Sequence, residues 1–107
     1  MGDALLALQN QYILLTQNLS AMLAACQTQE ERDAIQSQYV ACRRNYFSGV
    51  KNVFHEDDPK VASAIKEMAA EQKELTAMLN SLSDVAKVVN ALTAAVQVGS
   101  KLAALAG

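Results

Sequence analysis

The sequence predicts an all-α protein, on three observations. Apolar residues make up 51% of the 107-residue chain, yet aromatics are only 5% and tryptophan is absent, so the side chains available for a core are small and suit closely packed helices. One proline and four glycines leave few breaks, so the elements must be few and long. Apolar residues also recur at alternating steps of three and four along most of the chain, the spacing that keeps them on one face of a helix. A chain of this length is expected to form a single domain, residues 1–107, burying about two thirds of its unfolded surface.

The first helix is expected over residues 3–26. Leu5, Leu8, Tyr12, Leu15, Leu19, Met22 and Cys26 share one stripe, Leu6 and Ile13 widen it, and Asp3 can cap its start. Gln9, Asn10, Gln11, Gln17 and Asn18 read as an uncharged outer face that tolerates contact with another subunit. The second helix, residues 29–54, opens on Thr28-Gln29-Glu30-Glu31, a capping box in which Thr28 and Glu31 each accept from the other's backbone N–H. Ile35, Tyr39, Cys42, Tyr46, Gly49 and Val53 form its main stripe, with Val40, Phe47 and Phe54 beside it, so the core should be thickest where these aromatics gather. His55-Glu56-Asp57-Asp58-Pro59 is a clear break: Asp58 can cap a third helix with Pro59 in its first position, where the missing N–H is not needed.

From Pro59 the apolar register runs through Val61, Ile65, Met68, Leu75, Leu79, Leu82, Ala86 and Val89, with no glycine or proline before Gly99. Continuity predicts one long helix over residues 59–106, roughly 70 Å from end to end, packed against the first hairpin in a three-helix, coiled-coil-like arrangement. A stop at Asn80-Ser81-Leu82-Ser83-Asp84, with Ser81 or Ser83 as cap, would instead make a four-helix bundle. Leu82 keeps the phase on both sides, which favours continuity.

A helix longer than its hairpin needs a partner, and the C-terminal stretch has the composition for one. Ala91, Ala95, Gly99 and Ala103 recur every four residues and leave a groove for a close backbone. Val85, Val89, Leu92, Val96 and Leu102 surround it. These nine residues are the expected interface of a homo-oligomer, or of a bilayer, since Val85–Ala106 has the length of a membrane span. Asn90, Gln97 and Lys101 are costly in lipid, which makes the membrane reading the second one.

Other chemistries find little support. Net charge is −2 and the nine basic residues are scattered, so the concentrated basic face of a nucleic-acid binder is missing. The His55–Asp58 cluster has neither the nitrogen and sulfur ligands of a zinc site nor the oxygen spacing and glycine turn of a calcium loop, so no metal or cofactor is expected. The one histidine lies in that turn, away from any nucleophile, which argues against an enzyme. Cys42 should sit about fourteen residues beyond the first turn, roughly 20 Å from Cys26, too far for a disulfide. Leu23-Ala24-Ala25-Cys26 has the form of a lipoprotein cleavage site, but no basic segment and no unbroken apolar run precede it; with no convincing cleavable signal, the default location is the cytoplasm. The expected function is interaction or scaffolding through self-assembly, with a protein partner or a membrane as further possibilities.

Overall fold

Thr28 accepts from the backbone N–H of Glu31, and the Glu31 carboxylate accepts in return from that of Thr28, so the capping box fixes the first turn of the bundle. In the computed structural model of the protein, residues 2–106 are described. They form four α-helices, α1 (Asp3–Ala25), α2 (Gln29–Lys51), α3 (Pro59–Leu79) and α4 (Val85–Ala104), in a rod of 43 × 22 × 18 Å.

The connections, residues 26–28, 52–58 and 80–84, are too short to travel back along a helix, so the four helices alternate up and down. Each of α1 and α4 touches all three other helices, whereas α2 and α3 never meet. In cross-section the bundle is therefore a rhombus, with α1 and α4 across its short diagonal. Chain segment 52–58 crosses the long diagonal at one end, which makes α2 and α4 parallel neighbours.

The expected helix over 59–106 is thus two helices. The chain turns at Asn80–Asp84 without glycine or proline, because Asp84 caps α4 by accepting from the Lys87 N–H at 3.3 Å. Neither Ser81 nor Ser83 caps; their hydroxyls bond each other at 3.4 Å. Leu82 keeps its apolar phase for a different reason than helix continuity: it packs from the turn against the core between α3 and α4.

One other boundary moves, and one cap differs. The second helix ends at Lys51 rather than Phe54, where the Asn52 amide folds back to the Ser48 carbonyl at 2.7 Å and Phe54 turns in toward Gly49. Asp3 does not cap α1; Gly2 holds the cap position, and the free Ala4 N–H is taken by the Glu56 carboxylate at 3.1 Å from the 52–58 connection.

Small side chains set the spacing of the core. Leu15, Met22, Ile35, Cys42, Leu75, Leu92 and Val96 fill one end; Leu8, Val61, Ala64, Met68 and Leu102 fill the other. Each buried leucine contributes about 1.5–3 kcal/mol relative to exposure. Between the two clusters lies a polar layer. Gln11 is 1% exposed and its Nε2 donates to the Ala95 carbonyl at 2.9 Å, while Asn45 Nδ2 donates to Ser100 Oγ at 3.0 Å. Gln11 is thus interior, not part of an outer amide face.

Candidate functional site

Within the protomer, the residues expected to bind a partner through α4 are largely consumed by folding. Leu92, Ala95, Val96, Gly99 and Leu102 are buried under the chain's own helices, and Val85, Val89, Ala91 and Ala103 are half-buried at the margins. The small-residue groove does admit a close approach, but from α1 and α2. A Cβ at Gly99 would lie 2.6 Å from Gln11 Oε1 and 3.5 Å from Asn45 Nδ2. α3 folds back on α4 and covers the apolar flank that one long overhanging helix would have bared.

Most of the large apolar side chains left in water lie elsewhere, on the outer face of the α1–α2 hairpin, with Leu6 of α1 exposed separately toward α3. Ile35, Cys42, Asn45 and Gly49 define the inward side of α2. Val40 and Phe47, seven residues apart, lie on the opposite side and are 59% and 43% exposed. Val50, Val53 and, on α1, Ile13 are exposed as well. The expectation that Phe47 thickens the core is therefore corrected: of the aromatics at this end, Phe54 is drawn inward against the second cluster and Phe47 remains outside.

This face is ordered by its own contacts. The Tyr12 ring stacks on Tyr46 at 5.5 Å between centroids and meets Phe47 edge-on at 6.1 Å. The Arg43 guanidinium sits 5.6 Å from the centre of the Phe47 ring, a cation–π contact that leaves the ring's outer edge free. Gln9 Nε2 donates to the Tyr46 hydroxyl at 3.4 Å, and the Thr16 and Tyr39 hydroxyls are 3.2 Å apart. The hydrogen bond with the Tyr39 hydroxyl raises the pKa of Tyr12, whereas the hydrogen bond with Thr16 lowers that of Tyr39. Arg44 and Lys51 are exposed beside Val40 and Phe47 without a carboxylate partner; the one ion pair among the described residues joins Lys101 and Glu67 at 3.6 Å.

A second concavity, an open groove of about 530 Å³ between α1 and α3, is lined by Leu6, Ala7, Ile65, Met68, Ala69 and Gln72. Asp3 and Lys73 also line it, one acid and one base that form no ion pair with each other. Elsewhere, burial raises the pKa of the Cys26 thiol and pushes that of Cys42 up to about 12, so neither thiol is activated as a nucleophile. Cys26 Sγ instead donates to the Met22 carbonyl at 3.2 Å, and both cysteines are free. His55 is exposed in the connection, Glu56 caps α1 and Asp58 caps α3, and among the described residues no three His, Cys, Asp or Glu side chains converge on a point. No helix among them is long and apolar enough to cross a membrane.

Sequence periodicity marks Val40 and Phe47 as a stripe but not which way it faces. The signal that places them outside is their flanking by Arg43, Arg44 and Lys51. Gln11 and Asn45 escape a search for apolar periodicity altogether, although Gln11 sits three residues after Leu8 and four before Leu15, in the middle of the buried stripe. No family model, no curated protein and no solved structure matches this chain.

Proposed function

We propose that the chain is a non-enzymatic interaction protein that assembles with copies of itself, serving as a small scaffold or adaptor. The observation that carries this reading is the apolar stripe Val40–Phe47–Val50 on the outer face of α2, held in water on a helix whose inward side is already satisfied. A side chain such as Phe47, propped by Arg43 and Tyr12, contributes nothing further to the monomer by being exposed, and is suited to anchoring a contact. Of the α4 residues expected to form the interface, Val85, Val89, Ala91 and Ala103 remain half-exposed at its margin.

Sedimentation velocity over about a hundredfold range of protein concentration tests the reading, because self-association must follow mass action. The full chain is expected to move from monomer toward a larger species, and Phe47→Ser to hold it monomeric with unchanged helicity. A chain that stays monomeric throughout, at concentrations into the hundred-micromolar range, removes the proposal. Flotation with anionic liposomes separates it from a membrane-active role: the protein is expected to remain with the aqueous fraction.

A further inference from the structure

We infer that the occupant of this face is the α2 helix of a second copy, docked antiparallel about a two-fold axis that passes near Val40. The inference rests on the self-association reading and names its surface. Asp33, Gln36, Val40, Arg44, Phe47 and Lys51 follow one another at steps of three and four, are all exposed, and form one line along α2. No other helix covers that line, since α2 touches only α1 and α4.

The line carries opposite signs at its two ends. Asp33 stands at one end of the line and Arg44 and Lys51 at the other, with no acid from Ala34 to His55; Glu31 lies off the line, its carboxylate taken by the Gln27 and Thr28 N–H groups. None of these groups forms an ion pair among the described residues. A surface with an acidic end, an apolar middle and a basic end is complementary to itself when turned end for end. A two-fold axis makes residue i of one copy meet j of the other while j meets i, so one antiparallel pairing sets both acidic ends on both basic ends. A parallel pairing would oppose like charges.

Shape agrees with sign. Asp33, Gln36, Ser37 and Val40 line a shallow depression of about 370 Å³ beside the axis, where the small Ser37 leaves room for the partner's Val40. Phe47 of each copy then covers the start of the partner's α2, and the carboxylate of Asp33 reaches the Arg44 to Lys51 end. The charged groups sit at the rim of a short apolar seam, where they set orientation more than affinity.

A charge exchange between full-length chains tests this. Asp33→Lys alone, and Arg44→Asp with Lys51→Asp in another chain, are each expected to weaken the homodimer about tenfold or more by sedimentation equilibrium at low salt, two contacts being reversed in each dimer. Mixing the two variant chains is expected to restore association to within about threefold of the parent, because the heterodimer regains opposite signs at both ends. Restoration by mixing supports the proposal, as does loss of the dimer in Val40→Asp, which places two carboxylates at the axis; Val40 is 59% exposed, so that variant keeps the fold even if a charge variant does not. A dimer indifferent to all three changes overturns the α2 pairing while leaving self-association intact. Weakening without restoration on mixing overturns the antiparallel arrangement. A parent chain that is monomeric throughout removes both this pairing and the function it rests on.

Discussion

Gln11 and Gly99 occupy one another's space: the oxygen of the buried amide lies 2.6 Å from where a Cβ of residue 99 would be. The glycine leaves room for the Gln11 amide between α1 and α4, and a side chain at residue 99 would require that amide to shift. Alanine in a helix interior is about 1 kcal/mol better than glycine by propensity alone. We therefore predict a strong coupling. Gly99→Ala should be at least about 1 kcal/mol less favourable in the parent chain than in Gln11→Ala, measured as a double-mutant cycle from urea unfolding. Equal effects in the two backgrounds would show that Gln11 simply swings aside.

The same amide makes a second prediction. Gln11 Oε1 is buried and has no hydrogen-bond partner, so only half of the side chain's polarity is satisfied. Shortening it, as in Gln11→Ala, loses the bond to Ala95 and leaves a void, and should cost about 2–3 kcal/mol. Gln11→Leu fills the volume and removes the unpaired oxygen, and should fall within about 1 kcal/mol of the parent. Comparable losses in both variants would mean that the oxygen is satisfied after all.

The turn between α3 and α4 rests on one carboxylate. Asp84→Ala should destabilise the bundle by about 1 kcal/mol through loss of the α4 cap, seen as a lower urea midpoint at unchanged slope. Ser81→Ala and Ser83→Ala should each stay within about 0.5 kcal/mol, since those hydroxyls bond each other at the surface.

Cys42 links stability to alkaline pH. Burial raises its pKa to about 12 in the folded chain, above the value it takes when unfolded. The folded state therefore keeps the thiol proton while the unfolded state begins to release it, and the stabilisation is fully present below the unfolded pKa and lost as pH rises toward 12. Unfolding free energy should decline with pH above about 9, and the decline should be shallower in Cys42→Val. Thiol-reagent labelling of Cys42 should likewise require opening of the bundle.

What was legible in the sequence follows from which residues announce themselves. Leu8, Leu15, Met22, Ile35, Cys42, Leu75 and Leu92 stand on an apolar period, and each is in the core. The capping box at Thr28 and the Asp58-Pro59 start of α3 have specific chemistry and fall where that chemistry requires. The turn at 80–84 was hidden because Leu82 continues the period: a leucine packing inward from a turn and one packing inward from a helix have the same spacing. The α4 face was legible as a surface needing cover, but a period does not say whose helix supplies the cover. Gln11 and Asn45 were illegible because their burial depends on carbonyl and hydroxyl partners contributed by α4, far along the chain.

The amide layer also limits how the rods can slide. A bundle lined with alanine, leucine and valine offers nearly equivalent seatings one turn apart, and apolar contact alone distinguishes them weakly. Displacing α4 by a turn would present Ala95 or Ala103 to the Gln11 oxygen in place of Gly99, with a methyl group that the amide would have to move to admit. The notch at residue 99 and the amide at residue 11 thus favour the observed alignment, in which the Gln11 side chain keeps its bond to the Ala95 carbonyl.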